Sequence, residues 1–235
     1  MLQELLTVPI AAMQLYSGQA ELPKPTSYNP SNHNAQYKVM QADCAEYSET
    51  LTARLLKEAN ALAKKHPISA IPLYRRVIAE SDSGQETDKE KAIKSLGDIF
   101  TNLIYKKYDR WIIESALNFF DEVIQNHSNS NYLSEAYRKS GLIYLTEIDP
   151  KDVSEGIRRL KVAYELADKN GDATTKINSA WNIGSIGLEY AIVNDPAITL
   201  KEVKFFLGQA AELEPESIIS EAAKSLLNKI ESITK

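Results

Sequence analysis

The chain predicts an all-α protein built from stacked helical hairpins, and three observations carry that expectation. Glycine and proline number only 9 each in 235 residues. Against many Ala, Leu, Glu and Lys, that composition favours long helices over sheets. Apolar residues recur at i, i+4 and i+7 through several long segments, and no segment sustains the period-2 alternation of a strand. Small residues also return at a near-constant interval: Gly97, Gly141 and Gly184 are 44 (141 − 97) and 43 (184 − 141) residues apart. Such an interval marks a helix pair that repeats and stacks on its neighbours.

Residues 1–34 read as a separate segment. The start, MLQELLTVPIAAMQLYSGQA, has a short apolar centre and a small-residue end but carries Glu4 and no basic residues, a poor fit to a secretory signal. It reads as a short amphipathic helix broken near Pro9. Pro23, Pro25 and Pro30 then forbid a regular helix and favour an extended arm. From Ala35 the pattern turns helical, and residues 35–216 form the hairpin array, with residues 217–235 as a closing helix.

Leu51, Leu55, Ala59 and Leu62 make the first apolar stripe. Lys64, Lys65 and His66 fall in its last turn, and Pro67 stops it. Ser69 is the expected cap of the next helix, with Pro72 in its first turn, and Ala70, Tyr74, Val77 and Ile78 as its buried face. The run from Ser81 to Glu90, SDSGQETDKE, is a loop that enters a helix start.

The third helix carries Ile93, Leu96, Gly97, Phe100 and Ile104. Its partner carries Ala116, Phe120, Val123 and Ile124 and stops at Asn126-His127-Ser128-Asn129. In the following pair Tyr137, Gly141, Tyr144 and Ile148 line one helix. Asp149-Pro150 breaks it, and Gly156, Leu160, Ala163 and Ala167 line the other.

Asn170-Gly171-Asp172 is a tight turn. The last pair carries Ile177, Ala180, Trp181, Gly184, Leu188 and Ala191, a break at Asp195-Pro196, then Val203, Leu207 and Ala210 before Pro215. The closing helix, from Ser217 to Thr234, has Ile219, Ala222, Leu226, Ile230 and Ile233 on one side and a charged outer face.

These spacings resemble the tetratricopeptide repeat, whose first helix has Leu-Gly with an aromatic three residues on and whose second has Ala-x3-Phe before a proline. Leu96-Gly97 with Phe100 and Gly141 with Tyr144 match the first. Ala70 with Tyr74 and Ala116 with Phe120 match the second. Gly156 with Leu160 and Val203 with Leu207 are degenerate versions. Small residues let paired helices approach while the aromatic fills the groove between turns.

ALNFFDEVIQNHSNSNYLSEAYRKSGLIYL is similar to tandem repeats of bacterial envelope-assembly lipoproteins, and YELADKNGDATTKINSAWNIG to those of bacterial peptide-sensing regulators. The intervals of 43–44 exceed the family's repeat of about 34, and Gly187 replaces the aromatic expected after Gly184. The resemblance implies a right-handed α-solenoid of about four antiparallel helical hairpins with a C-terminal capping helix. It also implies that the first helix of each pair lines a concave face. That face would hold Lys94, Asp98 and Thr101, then Arg138, Leu142 and Leu145, then Trp181, Ser185 and Leu188. Asp98 and Leu142 occupy positions where chaperone-tail-binding repeats have asparagines, so that clamp is not expected.

Other chemistry finds little support in the residues. His33, His66 and His127 have no Cys, Asp or Glu at metal-ligand spacing on a shared helical face, so no metal and no cofactor is expected. Cys44 is the only cysteine, which excludes an internal disulfide, and nothing near it lowers a thiol pKa. Gly184-Ser185-Ile186-Gly187 lacks the lysine and preceding strand of a phosphate loop. Arg75-Arg76, Lys106-Lys107, Arg138-Lys139 and Arg158-Arg159, with acids such as Asp121-Glu122 interspersed, read as solvated surface. No constellation points to an enzyme.

A net charge of −5 argues against nucleic acid as a partner. No apolar run reaches the roughly 20 residues of a membrane span. The expectation is a non-enzymatic interaction module that holds a protein or peptide in the groove, in the cytoplasm, with no oligomeric state specified. The alternatives are an envelope or secretion-system assembly factor, periplasmic if residues 1–20 act as a signal, and a peptide-sensing regulatory domain.

Overall fold

In the computed structural model the described residues are 50–81, 84–106, 109–148 and 151–233. They belong to the unit Glu49–Lys235 and form helices only. In chain order these are α1 (Leu51–Ala63), α2 (Pro67–Glu80), α3 (Glu86–Tyr105), α4 (Arg110–Asn126), α5 (Leu133–Thr146), α6 (Val153–Asn170), α7 (Ala173–Ile192), α8 (Leu200–Leu213) and α9 (Ile218–Ile233). The arm, the onset of helix at Ala35, Cys44, His33, Lys107 and the Asp149-Pro150 break lie outside the described residues.

Each helix packs against the next in sequence, and α1 with α3, α5 with α7 and α7 with α9 also meet. Buried apolar side chains form two clusters. One runs from α1 to the middle of α5 around Tyr74, Phe100, Phe119 and Phe120. The other runs from the end of α5 to α9 around Leu160, Ile183, Val203 and Leu207.

Local chemistry accounts for most ends. Thr50 caps α1 by accepting from the Ala53 N–H at 3.2 Å, and Asp152 caps α6 by accepting from Glu155 at 3.0 Å. Thr199 and Glu202 form a reciprocal capping box on α8, which satisfies two otherwise orphaned donors. Gly171 takes φ 71° at the end of α6, a left-handed conformation that favours glycine.

Several expected ends move. The basic run lies past α1, with Lys64 as its C-cap. Helix α2 begins at Pro67, not at a Ser69 cap, and Pro72 lies inside it on the exposed side. Proline at the first helical position already has the right φ, and the N–H it lacks would have no helical partner there. Helix α5 ends at Thr146, so Ile148 packs on the core from beyond the helix. On α9, Ser220, Ala223 and Ile230 are buried, and Ile219 and Leu226 are half-buried against the second cluster.

Close helix crossings occur at glycine. A Cβ on Gly156 would stand 2.5 Å from Leu145 Cγ and 3.0 Å from the Gly141 carbonyl oxygen. One on Gly184 would stand 2.6 Å from Leu207, and one on Gly187 the same distance from Ile198. The Gly184–Gly187 stretch is therefore helix interior, packed on α8 and on the segment before it. Gly97 differs: the Tyr132 ring, from the start of α5, fills the place its Cβ would take.

Candidate functional site

Polar links between distant helices recur at similar sequence separations. Arg75 donates to Glu122, 47 residues on, and Ser130 to Glu90, 40 residues back. Lys139 and Asp98 are 41 apart, Arg159 and Asp121 38, Thr175 and Glu135 40. Lys161 and Glu202 are 41 apart, and Tyr164 and Gln209 45. The solvated reading fits Arg75, Arg76 and Arg158, whose side chains are 41%, 54% and 57% exposed, and is corrected for Lys139 and Arg159. Neighbouring helix residues point about 100° apart, so in these two pairs one member turns toward a distant helix. Lys139 and Arg159 are 7% and 8% exposed.

Arg159 reaches Asp121 on α4 and Glu155 on its own helix, and its guanidinium lies 4.7 Å from the Tyr144 ring centroid. Hydrogen bonds from Arg158, then from Arg159, outweigh burial and hold the Glu155 carboxyl down at about 2. A depressed folded pKa contributes stability above the unfolded value, and that contribution is lost as pH falls through the folded one. Urea titrations from roughly pH 6 to pH 2.5 are therefore expected to show a fall of about 1–2 kcal/mol that Glu155→Gln removes. A wild-type fall no larger than the variant's contradicts this role.

A second network joins α3, α5 and α7. Lys139 Nζ donates to Asp98 at 2.9 Å and lies 3.6 Å from Glu135. Glu135 also accepts from Arg138 and from the Thr175 hydroxyl at 3.3 Å. Burial pushes the Glu135 carboxyl up, but the Arg138 hydrogen bonds and nearby cations bring it net below its ordinary range.

Two cavities lie on either side of this network. The larger, about 600 Å³, is walled by Glu90, Lys91, Lys94 and Asp98 of α3, by Asn131, Tyr132 and Glu135, and by Asp172, Thr174, Thr175 and Asn178. The smaller, about 190 Å³, has Ile104, Phe120, Leu142 and Ile143 as apolar wall and Thr101, Tyr105, Arg138 and Lys139 among its polar lining.

Of the residues expected on the concave face, Lys94 and Asp98 line the larger cavity and Thr101, Arg138 and Leu142 the smaller. The others are not brought there. Leu145 is 1% exposed and packs on Gly156, so it supports the crossing of α5 and α6. Trp181 and Leu188 are half-buried against the second core cluster, and the Ser185 hydroxyl donates to the Trp181 carbonyl at 2.7 Å. Arg138 is no free cation, because its side chain is 14% exposed and paired with Glu135; reversing its charge would set two carboxylates together.

Sequence reasoning missed Tyr132, Glu135, Thr175 and Asn178. The signal was available in part: Asp172 and Thr175 stand at a helix start one interval after Asn131 and Glu135. The Tyr132 hydroxyl is buried without a hydrogen-bond partner, and burial raises its pKa above the ordinary tyrosine value. The apposed aromatic and glycine are 35 (132 − 97) residues apart, at α5 and α3, and a local spacing pattern does not relate them.

Among the described residues no group of His, Cys, Asp and Glu is placed to hold a metal ion. None of their helices is long and apolar enough to cross a membrane. His66 and His127 sit at helix ends, as the N-cap of α2 and the C-cap of α4. No family model matches the chain, and no curated protein or solved structure matches it either.

Proposed function

We propose that the chain is a right-handed α-solenoid of about four antiparallel hairpins, capped by α9, and that it is a non-enzymatic module binding a protein or peptide. The stacking is supported by the inter-hairpin links. Glu90 with Ser130, Asp98 with Lys139 and Glu135 with Thr175 join alternate helices at positions that advance together along both, the pattern of elements running side by side in one direction. The charged outer side of α9 suits a terminal repeat, which has no further neighbour to cover. The tetratricopeptide-like spacing of small and aromatic residues agrees with the same architecture.

The observation that carries the binding role is the larger cavity. Three alternate helices contribute to one recess of about 600 Å³, a shape that receives an extended chain or a helix. Affinity capture with the full chain tests it. Asn178→Arg adds bulk to the recess at a residue whose amide bonds only its own helix, to the Thr174 carbonyl at 2.8 Å. Asn118→Arg, on the exposed side of α4, is the control. The expected result is a partner that the wild type and Asn118→Arg retain and Asn178→Arg loses, with unchanged circular dichroism. A partner held equally by all three removes the groove from the account.

A further inference from the structure

We infer that the groove takes an acidic peptide, bound by a lysine patch between α1 and α3; this rests on the groove-binding role proposed above. Beside the larger cavity lies another of about 500 Å³, walled by Lys57 and Asn60 of α1, by its C-cap Lys64, and by Asp88 and Lys91 of α3. Lys91 lines both, so the two recesses adjoin at this side chain.

The charges along this surface are unequal in what they have left to offer. Most of its carboxylates bond within the protein, while Asp88 has only Lys91 at 3.8 Å and one Glu90 oxygen is buried without a partner. Glu90 accepts from the Ser130 hydroxyl and the Asn131 N–H at 3.0 and 3.1 Å. Asp98 accepts from Lys139 and Glu135 from Arg138, and Asp172 accepts from the Thr175 N–H at the start of α7. The lysines are not committed. Lys57, Lys64 and Lys94 are exposed and have no ion pair among the described residues, and Lys91 has only Asp88 at 3.8 Å on its own helix.

Geometry favours a chain of spaced carboxylates. Lys57 and Lys64 share one face of α1 two turns apart, about 10 Å along its axis. A polyproline II peptide has three residues per turn and rises about 3.1 Å per residue, so acids three positions apart share a face at that spacing. Further along, Asn131 and Asn178 carry amides, which complement a peptide backbone as donor and acceptor. The tyrosine at the edge of the lysine region is already engaged within the fold, Tyr74 donating to the Asn60 amide oxygen at 2.7 Å, so selection falls to charge.

The test is panning a random peptide library displayed on phage against the full chain. The wild type is compared with Lys57→Gln/Lys91→Gln/Lys94→Gln, substitutions that keep side-chain length and helix propensity. The wild type is expected to enrich Asp and Glu and the variant not to. A recovered acidic peptide, read by fluorescence anisotropy, is expected to weaken by about tenfold or more in the variant and to bind less tightly as salt rises.

Neutral or basic peptides recovered by the wild type, acidic peptides unaffected by the variant, or equal salt-sensitive binding of a single-stranded oligonucleotide would overturn the assignment. If that happens while Asn178→Arg still abolishes capture of the native partner, the groove stands and only its acidic ligand falls. If Asn178→Arg also leaves capture intact, the groove reading falls with it.

Discussion

Gly156→Val is expected to lower the unfolding free energy by about 3 kcal/mol. Helix α6 presents Gly156 where a Cβ would lie 2.5 Å from Leu145 Cγ and 2.8 Å from its Cδ2. Leu145 is itself buried at 1% exposure and cannot swing aside into solvent. On the other side stands the Gly141 carbonyl oxygen at 3.0 Å, and a Cβ on Gly141 would meet the Gly156 oxygen at 2.9 Å. Each glycine thus admits the other's backbone, and a branched side chain must push α5 and α6 apart. Gly156→Ala with Leu145→Ala gives the decisive cycle by urea unfolding. The double variant should be more stable than the sum of the singles implies, by about 1–3 kcal/mol. Simple additivity would mean that the crossing is not fixed by this contact.

Phe120→Ala is expected to cost about 3–4 kcal/mol and to lower the melting temperature by roughly 10 °C. Phe120 is fully buried, with its ring centroid 5.5 Å from Phe119, and it also walls the smaller cavity. Its loss removes core contacts from the first cluster and enlarges a recess whose other walls are fixed by α3 and α5. Scanning calorimetry checks the first effect. A shift of under about 3 °C, less than 1 kcal/mol would give, would mean that this part of the core closes over the gap.

Much of the helix order was legible because small residues and turn residues act locally. Gly171 ends α6 through its own backbone freedom, and Asn170-Gly171-Asp172 could be read as a turn without knowing any partner. Gly141, Gly156 and Gly184 fell in apolar stripes, and close packing is what a glycine in such a stripe supplies. Pro67 and Pro72 were harder. Both are compatible with a helix start, and the apolar stripe from Ala70 onward does not say which one opens it.

The surface was less legible because charge partners lie a whole repeat away. Arg138 and Lys139 are adjacent, yet one pairs along its helix with Glu135 while the other crosses to Asp98. Composition cannot separate these fates. Of the residues carried over from the family pattern, those on α3 line the two cavities, and fewer of those further along do. Leu145 turned inward to meet Gly156 and Trp181 settled on the second core cluster, because helices spaced by 43–44 residues need not repeat the rotation of shorter units.

Hydrogen–deuterium exchange on the full chain, with and without the captured partner, tests the central claim most directly. The account expects new protection in peptides covering residues 57–64, 88–98, 131–138 and 172–178, with α4, α6 and α8 unchanged. Protection on α4, α6 and α8 instead, with those peptides unaltered, would contradict it.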